Sequence, residues 1–206
     1  MSLFDLIKPD PMRKTAHTLY SMAGEQARLP FFYTDWRVDD TFDGRFDLLV
    51  LHVHLLIRRA NKEARPAPRL AQHLFDVMLK DLDQGLRLSG VGDIGIGHRV
   101  KKMSHAYYGR ATAYDAALDA GDATALQEAL HRNVYRADAA DSATLPALSA
   151  YVMANWDMLS ALPFADLAAE RFGGIQVACN NAGVFTGGLL WEESLADYRW
   201  LMDVNV

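Results

Sequence analysis

The chain has a single cysteine, Cys179, among 206 residues. No disulfide can close within it, and no cysteine-built zinc site is available. A basic surplus is also missing: 21 Lys and Arg stand against 26 Asp and Glu, a formal net charge of -5. That balance argues against a general nucleic-acid binder, and no DNA partner is expected. Long hydrophobic runs are absent as well. The most apolar stretch, FDLLVLHVHLLI at 46–57, contains Asp47, His52 and His54, and falls far short of the roughly 20 residues that span a bilayer. The N-terminal MSLFDLIKPDP meets Asp and Pro too early for a secretory signal. The expectation is a cytoplasmic protein that can still touch the inner face of a membrane peripherally.

What is present is enough apolar material for a core, half of the residues, arranged mostly at helical spacing. Met12 to Leu29 reads as a helix closed by Pro30. The connector PFFYTDWRVDD follows, with Phe31, Phe32, Tyr33 and Trp36 expected to pack on the bundle, since aromatic rings bury large areas. From Asp43 to about Asn61 the pattern predicts a strongly apolar, central helix. NKEARPAPR reads as a loop, with Pro66 and Pro68 blocking helix continuation. Leu70, Leu74, Val77, Met78 and Leu82 form an amphipathic stripe. SGVGDIGIG reads as a glycine-rich loop, followed by a helix from about His98 to Ala120 that Gly121 stops. Asp122 is a plausible N-cap for a helix over 123–135, and Leu145 to Leu162 reads as a last helix, with Trp156 in its core. The fold expected over residues 10–167 is therefore mainly α, a helical bundle-like domain.

After Pro163 the texture changes. FADLAAERFGG, IQVACNNAG and EESLADYRWLMDVNV follow a helix–strand–turn–helix rhythm. AERFGGIQVACNNAGVF and MDVNV resemble the short-chain dehydrogenase/reductase family. That resemblance implies a turn beside a dinucleotide at Asn180, Asn181, Ala182 and Gly183, and places Asn205 where the family has a catalytic Asn. It also implies an NAD(P)-dependent oxidoreductase as the alternative function. Hydride transfer in this family needs a Tyr-x-x-x-Lys pair beyond the Asn; none follows Asn205 here, so that chemistry is not expected. SGVGDIGIG misses the family's glycine register by one position and follows a charged amphipathic helix instead of a buried strand. The segment 168–206 is therefore expected to be a short, incomplete α/β appendage with a vestigial cofactor turn, poorly ordered or packed opportunistically, its Trp191 and Trp200 unusually exposed. A gene fusion, a frameshift or an annotation error would each produce it.

The larger part carries another resemblance. FYTDWRVDDTFDGRFDLLVLHVHLLIRR, LFDVMLKDLDQGLRLSGVGDIGIGHRVKKMSHAYYGRATAYDAAL and LHRNVYR resemble the ubiquinol–cytochrome c chaperone family. The most specific blocks are 40–47, 91–93, 99–103 and 107–110. The resemblance implies an all-α protein without enzymatic activity or cofactor. Its implied partner is newly made cytochrome b or another subunit of the respiratory cytochrome bc1 complex, whose assembly it promotes.

Two clusters are candidate partner-binding sites. Asp93, Arg99, Lys101, Lys102, Tyr108 and Arg110 gather positive charge on an acidic chain. They either dock an acidic partner surface, lipid headgroups or ribosomal RNA, or form a solvated helix face. Asp43 and Arg45, with Asp40 and Asp47, form the second. There a helix cap and an ion pair are expected: Asp40 or Asp43 as N-cap, Arg45 paired with a carboxylate. No catalytic residue is expected. No metal site is expected either, because His52 and His54 are two apart and a helix points them different ways.

Overall fold

The computed structural model describes residues 11–63, 67–88, 92–136 and 144–164. It contains α1 (Pro11–Gln26), α2 (Phe31–Thr34), α3 (Phe42–Asn61), α4 (Ala67–Leu88), α5 (Asp93–Ala120), α6 (Ala123–Asn133) and α7 (Thr144–Ala161). No strand occurs among the described residues, so the mainly α expectation is met. The appendage at 168–206, with Asn180, Asn181, Ala182 and Gly183, lies outside the described residues.

Helix α3 is the hub. It packs against α1, α4, α5 and α7, and every residue from Phe46 to Ala60 is buried. Its start differs from expectation: neither Asp40 nor Asp43 caps it. Thr41 is the N-cap, in extended backbone, and its Oγ1 accepts a hydrogen bond from the Gly44 N–H at 3.2 Å. Asp43 instead sits in the first turn, where a negative charge complements the helix dipole. Gly44 is required by a close approach, since a Cβ there would lie 2.0 Å from the Asp39 carbonyl oxygen.

Helix α4 buries the expected stripe, with Leu70, Leu74 and Met78 wholly inside. Pro68 does not block it but is its second residue, a position where the missing N–H costs nothing. Helix α5 also starts earlier than expected. Its first residue is Asp93, so Gly95 and Gly97 belong to its first turns. The backbone N–H groups of Gly95 and Ile96 donate to the Gly92 carbonyl at 2.8 and 3.2 Å. The side chain of Ile96 is 1% exposed, and its burial offsets the poor helix propensity of the flanking glycines. The α5–α6 junction follows the sequence: Gly121 adopts φ 62°, the left-handed cap glycine tolerates best. The Asp122 carboxylate then accepts from the Thr124 and Ala125 N–H groups at 2.9 and 3.0 Å.

The aromatic connector packs on the bundle as expected. Phe32 is fully buried and Trp36 nearly so, and both rings meet Tyr151 of α7 edge-on at 5.5 and 5.6 Å. The Tyr151 hydroxyl donates to His52 Nε2 at 2.8 Å and accepts from Gln26 Nε2 at 3.0 Å. His52 Nδ1–H donates to the Leu48 carbonyl at 2.7 Å. This pattern requires the neutral ring, and burial accordingly pulls the His52 pKa down to about 4.

Candidate functional site

Helices α3, α4 and α5 enclose the site, and α3 is joined to α5 by a polar seam. Asp47 faces Arg110, His54 faces Asp115, and Arg58 faces both Asp115 and Asp119. Positions rise together on both helices, so the two run parallel, with α4 as the return between them. At the first station the Asp47 carboxylate is wholly buried and accepts from Arg110 Nη2 at 2.6 Å and Arg136 Nη2 at 3.0 Å. Burial pushes its carboxyl up, while the two guanidinium groups oppose that and favour the ionised form. Arg136 also donates to Asp43 at 2.9 Å, which fastens the end of α6 to the start of α3.

At the second station His54 Nε2–H donates to Asp115 at 3.1 Å, and the Tyr107 hydroxyl approaches Nδ1 at 3.4 Å. Arg58 donates to Asp115, and its other terminal nitrogen to Asp119 at 2.7 Å. Burial works against ionisation of Asp115, but hydrogen bonds from His54 and Arg58 hold its carboxyl below the usual range. Hydrogen bonds from Arg58 and Lys62 bring that of Asp119 down to about 2. The Arg58 guanidinium also lies over the Trp156 ring at 4.3 Å, so one face of this expected core residue is covered by charge.

A cleft of about 440 Å³ opens above this seam. Its floor is His54 and Arg58, one side is Phe75 of α4, and the other is Tyr107, Tyr108 and Thr112 of α5. The three rings form a cluster with centroids 5.0 to 5.5 Å apart. Tyr107 is buried whereas Tyr108 is 57% exposed. Aromatic walls over a charged floor suit an amphipathic or apolar protein segment better than a bare ion. Among the described residues, no group of three or more His, Cys, Asp or Glu side chains is placed to hold a metal.

The expected site residues land in four places. Tyr108 borders the cleft. Arg110 belongs to the Asp47 pair at the base of the seam, and Asp43 reaches the same cluster through Arg136. Arg45 pairs with the exposed Asp40 at 2.5 Å, the ion pair expected for it. Arg99, Lys101 and Lys102 are exposed on α5, and Asp93 is the first residue of that helix. Sequence reasoning missed Arg58, Asp115, Asp119 and Arg136, and weighed His54 only as a metal ligand. One signal was available: His54 and Arg58 stand four apart on α3, as Asp115 and Asp119 do on α5, a spacing that lets two helices mate charge to charge.

The described residues thus form a helical scaffold with a cleft between three helices, walled by aromatic rings. The chain belongs to the ubiquinol-cytochrome C chaperone family, whose model matches residues 34–176. It is similar to ubiquinol-cytochrome-c reductase complex assembly factor 1 of Xenopus laevis, at 24% identity over 149 residues, covering 72% of this chain and 74% of that one. The Mus musculus protein of that name is 24% identical over 149 residues, and the match spans 50% of its length. The crystal structure of the Cbp3 homolog from Brucella abortus superposes with a TM-score of 0.70 at 38% identity, over 77% of this chain and 87% of that one.

Proposed function

We propose that this protein promotes assembly of the cytochrome bc1 complex, the ubiquinol–cytochrome c reductase, by binding cytochrome b or its nascent form, without catalysis. Family membership and the names of the relatives support the assembly role. The observation that carries the binding mode is the cleft between α3, α4 and α5. Its aromatic wall receives an apolar client segment, and its charged floor orients the polar groups beside that segment. The ion pairs of the seam hold α3 and α5 at fixed separation, so this side of the cleft is formed before the client arrives and less ordering entropy is lost on binding. On this reading Tyr108 at the cleft mouth meets the client, Arg99, Lys101 and Lys102 offer charge from the preceding turns of α5, and Asp43, Arg45 and Arg110 keep the start of α3 and its α5 contact in place. The segment 177–206, beyond the family match, is then a passenger.

The test is complementation. In a host lacking the gene, the full chain and residues 1–176 are expressed separately, and quinol:cytochrome c reductase activity is assayed in membranes. Both should restore it. A full chain carrying Thr112→Trp, an exposed substitution that fills the cleft, should restore little. Full restoration by that variant removes the cleft from the proposal, and failure of the folded wild-type chain removes the assembly role.

A further inference from the structure

Helix α5 carries an unpaired basic face in the turns before the residues that line the cleft. Residues 94–114 contain no Asp or Glu, although the whole chain is acidic. Within this stretch His98, Lys101, Lys102 and His105 recur at i, i+3, i+4 and i+7, which places them on one helix face. All four are exposed. Tyr108 and Gly109 continue the same face by their spacing, and Arg99 stands on its flank. None of Arg99, Lys101 and Lys102 has an ion pair or hydrogen bond among the described residues. This sets them apart from Arg45, Arg58, Arg59 and Lys62, which all have acidic partners. Folding thus leaves their charge unspent.

We infer that this face of α5 seats the protein on an anionic lipid surface, with Lys101 and Lys102 against the headgroups and Tyr108 at the interface. The face is a plain helix side, suited to a surface rather than to a single inserted side chain. Its central charges are lysines, point charges that need no bidentate geometry. At its end stands Tyr108, the amphipathic kind of ring that favours the membrane–water boundary. Leu88, 81% exposed, is the last residue of α4. No helix among the described residues is long and apolar enough to cross a membrane, so the contact is peripheral. Tyr108 belongs to both the basic face and the cleft. Seating the face on lipid therefore brings the cleft mouth to the membrane, where subunits of a ubiquinol-oxidising complex emerge. The geometry of that last step rests on the assembly reading, whereas the lipid contact itself does not.

The experiment is co-sedimentation of the full chain with phosphatidylcholine vesicles, with and without phosphatidylglycerol. Each lysine near an anionic leaflet is worth about fivefold in partitioning. The chain should sediment only with the phosphatidylglycerol vesicles, and less so as salt is raised. Lys101→Gln with Lys102→Gln should lower partitioning roughly thirtyfold, while Lys101→Arg with Lys102→Arg retains it. Circular dichroism confirms that each variant is folded. Three results would overturn the inference: a folded full chain that stays in the supernatant, a double glutamine variant that sediments like wild type, or binding to poly(U) RNA with no vesicle binding. None bears on client binding, because no client is present in the assay.

Discussion

The Asp47 carboxylate, with no exposed surface, accepts a hydrogen bond from the Arg110 guanidinium at 2.6 Å across the α3–α5 interface. The pair anchors α5 within one turn of Tyr107 and Tyr108, the aromatic wall of the cleft, so the placement of that wall depends on it. A buried ion pair is a weak source of net stability, yet removing one partner strands the other charge in a low-dielectric interior.

Asp47→Ala should therefore destabilise the chain by about 3 kcal/mol in urea unfolding. Arg136→Ala should cost less than about 1 kcal/mol, because the Arg136 side chain is 43% exposed and water screens its pairs. The double variant Asp47→Leu/Arg110→Met should be more stable than Asp47→Ala, since it leaves no unpaired charge behind. Equal loss in the double and single variants would mean that packing at this station matters more than charge.

His52 predicts a pH dependence. Its neutral ring is fixed by the Leu48 carbonyl and the Tyr151 hydroxyl, and burial lowers its pKa from 6.5 to about 4. The unfolded chain takes up the proton first. Stability is thus fully present above pH 6.5 and is lost as pH falls toward 4, by about 3 kcal/mol in all. Asp115 and Asp119, whose carboxyls are lowered, add their losses below that window. Urea midpoints measured from pH 7 to 4 should fall steeply for the wild type and more gently for His52→Gln. Parallel profiles would show that His52 does not set this dependence.

Two glycines should respond in opposite directions. At Gly44 a Cβ meets the backbone of Asp39, whereas at Gly109, on the exposed side of α5, nothing lies within 4 Å. Gly44→Ala should destabilise by about 2 kcal/mol, because backbone cannot yield as a side chain would. Gly109→Ala should stabilise by about 0.8 kcal/mol, the helix-propensity difference. Thermal unfolding of the two variants reads both signs at once.

Much of the helical frame was legible in the sequence because it is written locally. The Leu70–Leu74–Met78 stripe, the Gly121 stop and the Asp122 cap each depend on neighbours within a few residues. The start of α5 was misread because glycine density points to a loop, whereas burial of Ile96 is a tertiary fact that outweighs it. The Thr41 cap was missed because three aspartates nearby are equally good caps in isolation. The site was least legible. Asp47 and Arg136 are 89 residues apart, and no periodicity links them. The cleft exists only once Phe75, Tyr107 and His54 meet from three helices.

Client capture remains the decisive measurement. The full chain is affinity-purified from cells that are assembling the bc1 complex, and bound cytochrome b is quantified against the Thr112→Trp variant, with folding checked for both. Cytochrome b should co-purify with the wild-type chain and fall severalfold with the filled cleft. Equal cytochrome b in both samples, or none with the folded wild-type chain, would contradict binding of that client in the α3–α4–α5 cleft.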